Sequence, residues 1–281
     1  MKKILMAIVS VALALTCAFG IIGCGKDGIE GIDSKAYDAN KDQLVVATNA
    51  AFPPFEYKMG KKFAGIDMEI AKGFADYLGV ELVISDMDFD SVVTSVGKNG
   101  VDIAMAGLTV NEERKESVNF TDSYYNASQV VIVKEGDTSL DGKTTAAEID
   151  AVLNVAGKKV GVQAGTTGEF YVKGNEAWDF DGLTNATCSP YTNAALAVKD
   201  LKNGNIDYVV VDEAPAKSIA KSVGGVKVIE IALTVEEYAF GVDKAQPELL
   251  AKANEYLAKI KADGTYEKIS QKYFSNDIEE K

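Results

Sequence analysis

Arg114 is the only arginine in a chain whose other positive charges are all lysines. It ends the stretch "AGLTVNEER", residues 106–114, which leads from an apolar run into two glutamates. A planar guanidinium can hold a carboxylate through two parallel hydrogen bonds, which a flexible ammonium cannot copy. A surface ion pair would explain an ordinary arginine, but lysine serves that purpose elsewhere in this chain, so the single fork points to a bound carboxylate. Ala106 and Gly107 are small enough to let a ligand approach the backbone. Thr109 or Asn111 can cap a helix start, where free N–H groups also attract anions. The complementary charge is Asp212. Aligning "GKNGVDIAMAG" with "LKNGNIDYVVVD" at Asp102 and Asp207 places Gly107 and Asp212 at equivalent strand ends, 105 residues apart. An arginine and an aspartate facing one cleft would hold a zwitterion, with the carboxylate on Arg114 and the Gly107–Thr109 backbone and the ammonium on Asp212. Asp212 also suits the N-cap of a helix over "EAPAKSIAKS", and the two roles are compatible.

Composition removes other chemistries. The chain has no histidine, which excludes Ser-His-Asp and Cys-His catalysis, most zinc sites and the usual near-neutral proton shuttle. No metal or cofactor is expected. A net charge of −13 argues against nucleic acid, which requires a basic stripe. With 281 residues, 47% of them hydrophobic, the chain can bury a core and divide into two lobes.

The elements that must position these residues follow from periodicity. From Leu44, β-branched runs alternate with helical patterns, the mark of α/β layers. "LVVAT" (44–48) predicts a strand, and Ile70, Ala71, Phe74, Ala75 and Leu78 share one helical face. "VELVISDM" is a second strand, "FDSVVTSVGKNG" a short helix ending at glycine, and "VDIAMAG" a third strand. A second copy runs through "KKVGVQ" (158–163), a glycine-threonine turn, a helix over "NAALAVKDLKNG" and the strand "IDYVVVD" (206–212). Two lobes of one design are expected, binding their ligand beyond the carboxyl ends of the strands. Lys-Asn-Gly alone is ordinary helix-ending chemistry; the echo gains weight because both copies continue into small or acidic residues. Pro247 opens and Gly264 stops a helix with an apolar stripe of Leu250, Ala253, Leu257 and Ile260, and "TYEKISQKYF" ends the body.

The N-terminus, two lysines and an apolar run from Ile4 to Ile22, reads as an export signal. "IIGC", Ile21–Cys24, resembles a bacterial lipobox in which Cys24 is acylated and becomes the first residue. An uncleaved anchor would leave the Gly23-Cys24 site idle. Residues 25–41 are polar and aperiodic and read as a flexible tether. With Cys17 gone in the leader, Cys188 is the one other thiol, and it is read as a small buried hydrophobe without a role.

"ATNAAFPPFEY", "GIDMEIAKGFADYLG", "DIAMAGLTVNEERKESVNFTDSYY", "KVGVQAGTTGE" and "DYVVVDEAPA", in that order, resemble the polar amino-acid binding proteins of ABC importers, the solute-binding family that includes the glutamine-binding protein. The resemblance spans Leu44–Phe274. It implies a two-lobed, periplasmic-binding-protein-like (type II) α/β fold with two hinge strands, near 124–129 and 234–241. The chain would divide into a signal peptide (1–23), a lipid-anchored tether (24–41), a large lobe (42–125 plus 240–281) and a small lobe (128–236). Such a protein closes as a monomer on one free L-amino acid and delivers it to ABC permease subunits. It would be held to the lipid bilayer, on the extracytoplasmic face of the cell membrane, through acylated, palmitate-bearing Cys24. Carried over position by position, the resemblance implies that Arg114 and Gly107–Thr109 grip the α-carboxylate. Thr109, Asp212 and the Ala106–Gly107 backbone would take the α-ammonium. Thr166 and Thr167 would complete the carboxylate site with N–H and hydroxyl groups, and Phe52 would lie against the ligand side chain. Many relatives have aspartate where this chain has Asn49, and varied residues where it has Gln163. Two neutral residues there suggest an uncharged polar amino acid, and arginine remains open because carbonyls and aromatic faces can hold a cation.

Two other readings share the scaffold. Some exported relatives are cyclohexadienyl dehydratases, which need a protonated acid in the cleft; Glu56 is the nearest acid, and after "FPPF" it is expected at the surface. A receptor's sensor lobe is the other, although no membrane-spanning or signalling segment follows Phe274.

Overall fold

The structure is a computed structural model that describes residues 29–275. The export signal, the lipobox and Cys24 lie outside the described residues.

Among the described residues two five-stranded sheets repeat one topology. In the first, the order is Glu81–Asp86, Gln43–Thr48, Ile103–Ala104, Gly241–Asp243 and Val118–Phe120. In the second it is Thr187–Tyr191, Lys159–Gln163, Tyr208–Asp212, Gln129–Lys134 and Val226–Ile229. In each the first three strands are parallel, and the fourth runs antiparallel to both of its neighbours. The central strands are buried on both faces, which is why they read as unbroken β-branched runs rather than alternating ones. In the first sheet Val46, Ile84 and Ile103 pack with Ile70, Phe74, Leu257 and Ile260, while Val45, Ala47 and Val83 pack with Val92 and Leu108 behind. Each large side chain so buried contributes about 1.5–3 kcal/mol of transfer free energy.

The chain crosses between lobes through Tyr125–Ala127 and returns through Glu236–Tyr238. These two strands pair antiparallel, Glu236 with Ala127 and Tyr238 with Tyr125, within the stretches expected to cross.

The aspartates that aligned the two copies do the same work in each. Asp102 accepts the Val45 N–H at 2.8 Å, and Asp207 accepts the Lys159 N–H at 2.9 Å. The backbone answers both times, Asp102 N–H to Val45 O and Asp207 N–H to Lys159 O, each at 3.0 Å. The echo is therefore a register clamp between adjacent parallel strands, Gln43–Thr48 with Ile103–Ala104 in one lobe and Lys159–Gln163 with Tyr208–Asp212 in the other. Asp102→Ala strands a buried N–H and should lower the unfolding free energy by about 1–3 kcal/mol, read by urea denaturation.

Three local expectations change. The helix over "FDSVVTSVGKNG" spans only Phe89–Ser95, because Gly97, Asn99 and Gly100 all take positive φ and fold into a tight turn. "VDIAMAG" pairs as a strand only over Ile103–Ala104, since the backbone turns at Gly107, with φ +54°. The expected tether is, from Ile29 onward, a strap laid on the large lobe. Ile32 and Phe63 exchange N–H···O bonds of 2.6 and 2.9 Å, Lys35 N–H reaches Leu82 O at 3.0 Å, and Ser34 Oγ accepts Ile84 N–H at 2.8 Å. Ile29 and Ile32 pack on the apolar cluster, an attachment that the polar residues around them disguised in the sequence. Among the described residues no helix is long and apolar enough to cross a membrane.

Candidate functional site

Beyond Ile103–Ala104 the chain passes through Ala106 to Thr109 into the helix Glu112–Ser117, whose cap is Asn111: its side chain accepts the Arg114 N–H at 2.8 Å. This one-and-a-half-turn helix fixes Arg114 facing the other lobe. Nη1 donates to Thr109 O at 2.8 Å and Nη2 reaches across to Gly165 O at 3.1 Å. The guanidinium carbon lies 5.5 Å from the Phe89 ring centre and 5.2 Å from that of Trp178. Burial pulls the Arg114 pKa down to about 10, opposed by the negative charges of Glu236 and Asp212, so the group stays cationic near neutrality.

The small lobe answers with the equivalent strand end. Lys159–Gln163 runs through Gly165 into the helix Thr167–Lys173. Gly165 takes φ +75°, and a Cβ there would fall 2.9 Å from Asp90 Cα, so the lobes meet backbone to backbone. Thr167 Oγ1 donates to Thr109 Oγ1 at 3.0 Å, a second direct bond between lobes. The Thr166 hydroxyl is already committed: it donates to Gln163 O at 2.7 Å and caps the helix by accepting the Glu169 N–H at 3.3 Å. The hydroxyl role expected of Thr166 is thus filled by helix capping, and its backbone N–H is what it can offer.

Gly107 changes in the same way. Its N–H donates to Asp67 Oδ2 at 2.9 Å, so that N–H is not available to a carboxylate and Gly107 can serve a ligand only through its carbonyl. A side chain there is disfavoured too, since φ is +54° and a Cβ would fall 3.2 Å from the Phe52 ring and 3.3 Å from that of Tyr238. Phe52 is buried, with its ring 6.3 Å from that of Phe55, and Ala106 is fully buried.

Asp212 occupies the N-cap position of Glu213–Val223, yet its side chain makes no capping bond. It accepts instead from the Tyr238 hydroxyl, on the return crossing strand, at 2.6 Å. Burial, and then the charge of Glu236, push its pKa above the ordinary carboxylate range.

Asn49 and Gln163 meet from opposite lobes. Asn49 Nδ2 donates to Met87 O at 2.7 Å, which turns Asn49 Oδ1 to accept Gln163 Nε2 at 3.0 Å. The relay ends on Gln163 Oε1, a buried acceptor without a hydrogen-bond partner.

Several groups were missed. Glu236, buried on the crossing strand, accepts from Thr109 Oγ1 at 2.6 Å, Gln129 Nε2 at 3.0 Å and Thr234 Oγ1 at 2.5 Å. Strand alternation held the clue: in "EEY" Glu236 and Tyr238 share the inward face while Glu237 is exposed. Trp178, set in a loop, carried no such signal. Glu56 is not the surface residue expected. It is fully buried, neither carboxylate oxygen has a hydrogen-bond partner, and burial followed by the neighbouring Asp67 charge raises its pKa well above the ordinary value. Cys188 is half-buried, and burial pushes its thiol up to about 11, away from reactive thiolate.

Residues 44–276 match the family model of bacterial extracellular solute-binding proteins, family 3. The arginine-binding extracellular protein ArtP of Bacillus subtilis (strain 168) is 28% identical over 279 residues, covering 99% of this chain and all of that protein. A solved ancestral arginine-binding protein bound to arginine is 37% identical with a TM-score of 0.72, over 83% of this chain and 98% of that one. The ancestral amino acid-binding protein AncCDT-1, a precursor of cyclohexadienyl dehydratase, is 32% identical with a TM-score of 0.71, over 83% and 95% of the two chains.

Proposed function

Because this chain belongs to family 3 of the bacterial extracellular solute-binding proteins, we propose that it captures one free L-amino acid outside the cell and hands it to the permease subunits of an ABC importer. The observation that carries this reading is the reach of Arg114, a buried cation of one lobe, to the Gly165 carbonyl of the other, with Asp212 buried nearby as the opposite charge. An amino acid satisfies both: its carboxylate on the Arg114 fork and the N–H groups of the Thr166–Thr167 turn, its ammonium on Asp212, the Thr109 hydroxyl and the Gly107 carbonyl. Ala106, which carries no polar side chain, leaves room for the backbone approach. The two lobes, 42–125 with 240–281 and 128–236, then close because the ligand touches both.

The ligand's side chain would pass Phe52 and end at Asn49 and Gln163. There the unpaired Gln163 Oε1 is an acceptor, so the terminus it suits carries an N–H, as in glutamine, histidine or arginine. Two buried acids, Asp212 and Glu236, beside one arginine also disfavour a second negative charge. The named binding of arginine by relatives agrees with this preference.

We further read the protein as a monomeric lipoprotein anchored through acylated Cys24 on the outer face of the cell membrane, without cofactor, metal or catalytic role. With the strap docked from Ile29, such an anchor would hold the body close to the lipid. The dehydratase reading loses its visible acid, since Glu56 is sealed within the large lobe.

Thermal shift of the mature protein against the twenty amino acids and prephenate tests the reading. L-Amino acids ending in an N–H donor should give the largest rises in melting temperature, and aspartate and glutamate the smallest. Consumption of prephenate with no stabilisation by any amino acid would overturn it.

A further inference from the structure

The outer face of Arg114 opens on a groove of about 230 Å³ lined by Phe89, Asp90, Glu113, Gly165, Phe170 and Trp178. Trp178 is the only tryptophan in the chain. It sits at the end of the short turn Glu176–Trp178, in a loop tied shut by two bonds between Asn175 and Phe180, of 2.9 and 3.1 Å. Phe170 backs its ring at 4.9 Å between centroids. All of these but Phe89, Asp90 and Glu113 belong to the small-lobe segment. Trp178 nevertheless reaches the other lobe twice: its ring centre lies 5.2 Å from the Arg114 guanidinium, and its Nε1–H donates to Glu113 Oε2 at 2.9 Å. With Phe89 at 5.5 Å, the fork is flanked by one aromatic ring from each lobe.

We propose that Trp178 is a clasp of the closed lobes, holding the bound amino acid in without touching it. Both of its reaching contacts join different lobes, so they count only when the lobes are shut. They therefore act on release rather than on capture. The ring also keeps water from one side of the guanidinium, and in the lower local dielectric the bond from Arg114 to a carboxylate is stronger. Lysine at 114 could not be sandwiched in this way, which gives the single arginine a second reason. Trp178 is a positioning residue here, acting through Arg114.

The inference rests on the amino-acid-binding reading, and the test separates the two. The probe is L-arginine, or whichever of the twenty L-amino acids stabilises the wild-type protein most. Saturating wild type with it should change the emission of the single tryptophan. Trp178→Ala should weaken affinity roughly 10-fold. Chase of labelled ligand should assign that loss to faster release, with association within about 2-fold of wild type. Trp178→Phe, which keeps an aromatic face and loses the N–H, should fall between. Trp178→Ala also loses packing on Phe170, so a lower ligand-free melting temperature is expected of that variant with or without a clasp. The readout that a merely structural role would not move is faster release at an association rate within about 2-fold of wild type. If no amino acid stabilises the wild type, the binding reading fails and the clasp with it. If wild type binds but its emission is unchanged, or either variant releases ligand at the wild-type rate, the clasp alone is overturned. Should Trp178→Ala fail to fold, the Phe variant and the wild-type emission still decide.

Discussion

Arg114→Lys is expected to weaken amino-acid binding by roughly 100-fold or more, while leaving the fold intact. Truncating one partner of a buried, hydrogen-bonded charge pair costs about 2–5 kcal/mol, and each 1.4 kcal/mol is about a tenfold change in affinity. Lysine keeps the charge but loses the two-pronged geometry, the bond to Gly165 O and the aromatic sandwich. The change is read by calorimetric titration. A variant binding within about 3-fold of wild type would show that the fork does not hold the ligand.

Asp67→Ala is expected to be among the most destabilising single changes in the large lobe. Asp67 is fully buried in the first turn of Ile66–Leu78; it accepts the Gly107 N–H at 2.9 Å and the Tyr124 hydroxyl at 2.7 Å. Alanine would orphan both donors, each at about 1–3 kcal/mol, and would free the backbone turn that carries the site. Unfolding midpoint and ligand affinity should therefore fall together. Asparagine should be milder, since its oxygen can accept from Gly107 and its amide can donate to the tyrosine hydroxyl.

The same carboxyl gives a pH dependence of definite sign. Burial raises Asp67 to about 7, against the effects of its hydrogen bonds from Gly107 and Tyr124, and Glu56 beside it is raised well above its usual range. The folded protein thus holds protons that the unfolded chain releases. The stability from Asp67 is full below about pH 4 and is lost as pH rises through about 7, and Glu56 acts in the same direction. Glu56→Gln, which cannot ionise, should flatten the fall in melting temperature between pH 5 and 7.5.

Most of the fold could be read from the chain because its strands and helices obey simple periodicities. "LVVAT" and "YVVVD" are buried on both faces, and the face of Ile70, Ala71, Phe74 and Ala75 is buried as its spacing requires. The strap from Ile29 was not legible: two isoleucines in a polar stretch show no period, and their attachment depends on a surface built by distant residues. Boundaries near Gly97 and Gly107 moved because positive-φ turns, rather than the apolar pattern, end those elements.

Which residues the fold brings together was more legible in the sequence than what each of their atoms does. Arg114, Thr109, Thr167 and Gly165 meet across the cleft, and Asn49 meets Gln163, although they are far apart in sequence. The Gly107 N–H and the Thr166 hydroxyl looked available only because their partners, Asp67 and the Glu169 backbone, are fixed by tertiary packing and helix capping. Glu236 escaped notice because one glutamate beside another resembles a solvated pair until strand pairing turns it inward.

In the proposed mode of binding, the cleft recognises the head group of an amino acid through charges from both lobes. The most direct test of that mode is a calorimetric comparison of the best-stabilising L-amino acid with the amine left by removing its α-carboxylate. The amino acid should give a saturable fit, and the amine should bind at least about 100-fold more weakly. Equal affinity for the two would contradict that mode of binding.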